Sequence, residues 1–392
     1  MIELADILRL HGAAYQAAHC LLPSQQKVLE DLVRCRTAAC GGQLWQCERE
    51  DCRYEQYRYH SCGNRHCPKC HGQQTERWLE QQRERLLPCA YYFLTFTLPA
   101  GLRALAYAHQ KAIYGLLLSS AAAALQKLAW DSKYVGGQLA ILAVLHTWTR
   151  ALLDHPHAHL LASAGGLSAD GQHWVHPKHP AFLLPGYALS KIFQGKFRAG
   201  LKKLGLLDQV APVVWEQNWN VQIQHAGRGE KVLEYLGRYA FRIAISNSRL
   251  EHFENGQVTF GYRDNQTQEH RHLTLSAQEF IRRFLRHVLP KGLVKVRSYG
   301  LWSSTHRQKL EKARTLLQPS PSGLAKSGGL TPPTDAEPPP STPDSQPLLC
   351  PKCKVGHLLW VREFPPQRTP PPALTTSPAR QGELWAEQPR GP

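Results

Sequence analysis

At 392 residues the chain is longer than one ordinary domain, so two folded units with tails are expected. Forty-seven Lys and Arg against thirty Asp and Glu leave a net charge of +17 spread along the chain; this points to a nucleic-acid partner, against the plainer reading of a basic soluble enzyme. The longest uncharged apolar run, residues 112–125, is shorter than the roughly 20 residues a membrane span needs, and the N-terminus lacks the pattern of a signal peptide, so no membrane partner is expected.

Residues 4–19 and 25–35 carry helical apolar spacing, with Ser24, after Pro23, as the expected N-cap. Eleven cysteines would suit disulfides in a secreted protein, but five lie between Cys47 and Cys70 in metal-ligand spacing, which a reducing compartment with structural zinc explains better. Cys47, Cys52, Cys67 and Cys70 have two to four residues inside each pair, so both thiolates of a pair reach one tetrahedral ion. Cys35, His60, Cys62 and His66 are left over, either for a second site or in place of one of the four, and spacing does not decide the pairing. Arg65 and Lys69, within the same run, are candidate DNA contacts.

Residues 90–98 are rich in strand formers, and a single long helix is expected over residues 102–129. Residues 138–148 form a strand buried on both faces, with His146 near its end. The next strand carries His155-Pro-His-Ala-His159. Side chains alternate along a strand, so His157 and His159 project from one face, a pattern that suits a divalent metal. A hairpin through residues 149–156 would set His146 beside them as a third ligand, with His155 the second choice; the alternative is a set of hydrogen-bonded core histidines. A helix over residues 188–204 offers Lys191, Lys196 and Arg198 to phosphates, although such a run is more often a solvated face. Residues 218–224 alternate Trp219, Val221 and Ile223 with Asn and Gln, a half-buried strand. In the helix that follows, Val232, Tyr235, Leu236, Tyr239 and Ile243 share one face, with the two tyrosines one turn apart; alone, this is a packing stripe. Arg238 and Arg242 beside them are further candidate DNA contacts. Short strands over residues 250–275, a helix over 277–289 and a strand over 293–299 complete the folded part. Residues 319–347 are too rich in Pro, Ser, Gly and Thr to bury a core. Cys350-Pro-Lys-Cys353, with His357, then looks like half a zinc knuckle.

Through about residue 317 the chain resembles the two-tyrosine HUH insertion-sequence transposases, which move DNA by a rolling-circle-like route and carry an N-terminal zinc-binding domain. The resemblance rests on Cys35-Arg-Thr, Ser61-Cys-Gly-Asn-Arg-His-Cys-Pro-Lys-Cys70, Leu145-His-Thr-Trp148, His155-Pro-His-Ala-His159 with Gly165-Gly-Leu-Ser168, Tyr235-Leu-Gly-Arg-Tyr239 with Ala244-Ile-Ser-Asn247, and Phe284-Leu-Arg-His-Val-Leu-Pro290. Ala158 is smaller than expected between the two histidines, and the first cysteine pair is slightly wide, but no ligand is lost. The resemblance implies an α+β fold: a zinc-binding module over residues 1–88, an HUH-type domain with a central antiparallel sheet over 89–317, a Pro-rich linker over 318–349 and a tail over 350–392. It also implies a catalytic metal on His157 and His159, nucleophilic Tyr235 and Tyr239, and a 5′-phosphotyrosyl intermediate. All-imidazole sites favour Zn, Ni or Cu by softness, whereas the resemblance implies Mg or Mn. The implied partner is DNA, mainly single-stranded or hairpin element ends, in the cytoplasm on the nucleoid. A plasmid relaxase or replication initiator would use the same chemistry. A non-catalytic zinc-dependent DNA-binding regulator would leave the histidines and tyrosines structural.

Overall fold

The computed structural model describes residues 2–70, 72–179, 182–241, 244–264, 267–318 and 348–367, leaving aside the side chains of residues 73 and 238–241. The expected Pro-rich linker, residues 319–347, and the tail from residue 368 lie outside the described residues.

Leu4, Ile7, Leu8 and Tyr15 recur at helical spacing and are buried in α1 (Leu4–Ala18), as are Val28, Leu29 and Leu32 in α2 (Pro23–Arg34). Ser24 is not the N-cap. The helix starts at Pro23, whose fixed φ and missing N–H suit the first helical position, and the Gln25 side chain accepts from the Leu22 N–H at 3.0 Å. Strands β1 (Gly42–Cys47) and β2 (Glu55–Tyr59) and helix α3 (Gly72–Arg83) follow. The boundary expected at residue 88 falls in the loop between α3 and β3 (Tyr91–Thr97).

The single helix expected over residues 102–129 is broken into α4 (Arg103–Ala108) and α5 (Gln110–Ala129) by His109, at φ −121° and ψ 45°. Length and composition would let α5 cross a membrane, but Ile113, Leu117, Leu118 and Leu125 are buried in the core. Strands β4 (Ala140–Trp148) and β5 (Asp154–Ser163) form a hairpin; β6 (Gly166–Leu167) and β7 (Trp174–Val175) form a smaller one. After α6 (Gly186–Lys203) and the short α7 (Val213–Glu216) come β8 (Val221–His225) and α8 (Glu230–Phe241). A three-stranded sheet, β9 (Leu250–Glu254), β10 (Gln257–Arg263) and β11 (His270–Ser276), leads into α9 (Ala277–Arg286), and β12 (Val296–Gly300) precedes α10 (Arg307–Leu317).

The central sheet has the order β12-β4-β5-β3-β8 and every pairing in it is antiparallel, which makes the architecture α+β. Alternation sorts its two faces. Ile141, Ala143, Leu145, Ala158, Leu160, Leu94 and Phe96 pack against α5 and α6, with Phe96 edge-on to Phe193 at 5.1 Å. On the other face, Ala140, Leu142, Val144, Leu161 and Tyr91 pack against Leu233 and Leu236 of α8. The N-terminal helices do not stand apart: Leu4, Ile7, Leu29 and Leu32 join the same core as Phe260 and Phe280, and Gln25 Nε2 donates to Leu285 O at 3.0 Å. The chain then returns from beyond residue 347. Strands β13 (Leu348–Leu349) and β14 (His357–Phe364) join β1 and β2 in a sheet of order β13-β14-β1-β2.

Candidate metal centre and nucleophile

The β4–β5 register sets His146 opposite His157, while His159, two residues on, lies opposite Val144. All three imidazoles therefore project toward α8. Their candidate ligand nitrogens lie within 4.8 Å of one another, and the Nε2 atoms of His157 and His159 are 3.1 Å apart. His157 Nδ1 lies 2.6 Å from the His155 carbonyl, to which its N–H donates, and His159 Nδ1 lies 3.0 Å from Thr95 Oγ1. The His155 carbonyl fixes His157 Nδ1 as a donor, which leaves its Nε2 as a lone pair aimed at His159 Nε2, a position suited to a shared cation. Burial pushes His157 down to about 4 and holds His146 and His159 well below the ordinary imidazole value, with neighbouring imidazoles adding to the effect. Near neutral pH the three rings are thus in the uncharged form that binds metal.

A cleft of about 340 Å³ opens over this triad. Tyr235, on α8, closes one side, its ring 5.8 Å from that of His159, 6.3 Å from that of His146 and edge-on to Phe93 at 5.8 Å. Tyr239 lies one turn farther along α8, but its side chain, like that of Arg238, is outside the described part, and Arg242 is outside the described residues. Thr95, Arg150, Asn220, Gln222 and Gln224 also line the cleft and were missed in the sequence. The available signal was the alternation over residues 218–224: Val221 and Ile223 pack against the core, which turns the intervening amides toward the histidines.

The foursome Cys47, Cys52, Cys67 and Cys70 is not brought together. Cys35, at the end of α2, joins Cys62, Cys67 and Cys70, and Cys47 and Cys52 meet Cys350 and Cys353 instead. In the first group the Sγ–Sγ distances are 3.5 Å for Cys35–Cys67, 3.6 Å for Cys35–Cys70 and 3.7 Å for Cys62–Cys70. Zinc–sulfur bonds of about 2.3 Å in a tetrahedron place the sulfurs about 3.8 Å apart. The two leftover histidines are engaged elsewhere. His60 Nε2 is 3.1 Å from Glu363, and His66 Nδ1 donates to Asn64 Oδ1 at 2.9 Å while its Nε2 accepts from the Leu289 N–H at 3.2 Å.

Two of the expected DNA contacts are used inside the fold. The Arg65 guanidinium donates to the carbonyls of Leu289, Pro290 and Leu293 at 2.8–3.3 Å, and Lys69 pairs with Glu3 at 2.6 Å. Lys191 and Arg198 lie over the Tyr187 and Trp215 rings; with Lys196 they belong to α6, which covers the sheet face opposite the histidines.

Residues 7–98 match a family described as "Transposase zinc-binding domain", and residues 140–309 match one described as "Putative transposase". The chain is 36% identical to "Putative transposase y4qJ" of Sinorhizobium fredii, over 96% of this chain and 98% of that one. It is 28% identical to the transposase for insertion sequence element IS801 of Pseudomonas savastanoi pv. phaseolicola, over 74% of each chain. No solved structure matches.

Proposed function

This chain belongs to the insertion-sequence transposases that carry a zinc-binding domain, and from that premise we propose that it nicks single-stranded or hairpin element ends with Tyr235 and Tyr239 and then transfers the cut strand. The observation that carries the reading is Tyr235 facing His146, His157 and His159 across one cleft. The three imidazoles would hold Mg or Mn, with the phosphate supplying hard oxygen ligands; a bound ion polarises a phosphoryl oxygen and stabilises the charge that builds there.

The protein's own residues do the rest. Thr95 and the His155 carbonyl fix the ring orientations, so the ligand nitrogens are already aimed before DNA arrives. A phenol of pKa about 10 is ionised about one part in a thousand at pH 7, a cost of about 4 kcal/mol, so Tyr235 needs its phosphate placed and polarised before it attacks. Attack forms a tyrosyl O–P bond to the 5′ side and breaks the P–O3′ bond; the phenolic proton goes to solvent and the departing 3′ oxygen takes one up. No water is consumed, so a 3′-hydroxyl of another strand reverses the step and joins the strands. The amides of Asn220, Gln222 and Gln224 offer donors and acceptors to bases or phosphates beside the cut. In the N-terminal module, zinc on Cys35, Cys62, Cys67 and Cys70 holds the fold.

Incubation with a single-stranded element end and Mg or Mn, followed by denaturing electrophoresis, should yield a covalent protein–DNA adduct. Peptide mapping should place it on Tyr235 or Tyr239. Attachment to any other residue overturns the assignment, and adduct formation undiminished by a chelator removes the metal from the mechanism.

A further inference from the structure

The zinc-binding family spans residues 7–98 and therefore contains Cys47 and Cys52 but neither Cys350 nor Cys353, which also lie beyond the match at 140–309. These four cysteines nonetheless converge. Cys47 Sγ is 3.7 Å from Cys353 Sγ and Cys52 Sγ is 3.8 Å from Cys350 Sγ, and all four sulfurs lie within 4.8 Å of one another. Those separations are far beyond the roughly 2.05 Å of a disulfide and match the roughly 3.8 Å edge of a zinc–thiolate tetrahedron.

The two pairs are built alike. Each sits at the tip of an antiparallel hairpin, β1–β2 or β13–β14. The residue after the second cysteine is left-handed in both, Arg53 at φ 43° and Lys354 at φ 56°, and each donates its N–H four residues back, to Arg49 O at 3.0 Å and Cys350 O at 2.8 Å. A Cβ on Gly356 would stand 2.9 Å from Cys47 Sγ, so the C-terminal hairpin is shaped to the N-terminal thiol. Among the described residues, the apolar core around the four sulfurs has Cys47, Cys350 and Leu358 buried, with Trp45 and Tyr54 partly buried against them. A core that small does not ordinarily hold a sheet without a metal or covalent staple.

We infer that Cys47, Cys52, Cys350 and Cys353 form a second zinc site, which ties the C-terminal segment into the N-terminal module as its outer hairpin. The half knuckle at residues 350–353 is then the missing half of the Cys47–Cys52 pair and not a separate finger. This does not depend on the strand-cutting chemistry proposed above.

Purified full-length protein should release two zinc ions per chain when its thiols are titrated with a mercurial, and C350S/C353S should release one. A protease recognition sequence placed within residues 319–347 allows the chain to be cut after folding. The C-terminal piece should co-elute with the body on gel filtration and separate once a strong chelator is added. Two zinc ions in C350S/C353S, one in the wild type, a disulfide to Cys47 or Cys52 in the non-reduced mass spectrum, or separation of the cut piece with zinc present would each overturn the site. Should C350S/C353S be insoluble, the cleavage experiment, done with all cysteines intact, decides the question.

Discussion

On the proposed mechanism, Tyr235 and Tyr239 would divide the chemistry between two hydroxyls, and only a joined pair of strands would require both. Tyr235→Phe and Tyr239→Phe should each abolish transposition, while at least one single variant still nicks; the double variant should lower adduct yield on the order of a thousandfold or more on a denaturing gel. His157→Ala should lose cleavage and keep DNA binding in a mobility-shift assay. A buried histidine outside the triad makes a different prediction. His287 Nε2 donates to Leu152 O at 3.2 Å, its Nδ1 accepts from the Thr147 hydroxyl at 3.3 Å, and burial pushes it down to about 4. Unfolded, it takes a proton below about 6.5; folded, it does so only near 4. Between those values the unfolded state binds more protons, so this contribution to stability falls as pH drops from about 6.5 toward 4 and levels off below. His287→Asn keeps a donor and an acceptor but does not titrate, so its Tm should fall less steeply than the wild type's across that window. At this scale the histidine pair was legible because strand alternation is local, and His146 followed from assuming a tight hairpin. Thr95 was not legible, because its pairing with His159 comes from a strand about sixty residues earlier.

Elements set by local periodicity were read from the chain; elements set by distant partners were not. The strands at residues 91–97 and 140–148 and helices α6 and α9 lie close to their expected positions. The break at His109 was hidden because neither Gly nor Pro marks it. Cysteine pairing was illegible for a stronger reason. The knuckle cysteines Cys62, Cys67 and Cys70 meet a fourth from the end of α2, and Cys47 and Cys52 meet cysteines from the far end of the chain. Cys67→Ser should lower zinc content and the thermal stability of α1, α2 and the knuckle together, measured by metal analysis and circular dichroism. Arg65 acts on the same seam. Its three carbonyl acceptors fasten the knuckle to residues 289–293, so Arg65→Ala should cost on the order of 2–4 kcal/mol in denaturant unfolding. Loss of DNA affinity with unchanged stability would return Arg65 to the role of a phosphate contact.

Across the whole molecule, the excess of positive charge stays relevant although Arg65 and Lys69 are occupied within the fold. If DNA engages six to ten phosphates, affinity should fall on the order of a thousandfold or more between about 50 and 200 mM salt; a flat salt dependence measured by anisotropy would remove charge as the main source of affinity. Net charge was enough to suggest the partner, but not the surface that meets it, because α6 carries its cations on the side of the sheet away from the histidines. One further contact connects the two halves of the chain. Helix α3 leaves the knuckle and lies against α8, joined by Arg83 and Glu234 at 2.9 Å, and Gly237 sits so close that a Cβ there would stand 2.6 Å from Leu79 Cδ2. Where DNA held at the knuckle also reaches Tyr235, this joint works as a ruler. The number of nucleotides between the sequence gripped and the bond cut is then a length written in protein, and Gly237→Leu, by wedging the two helices apart, should turn one sharp cleavage position into several.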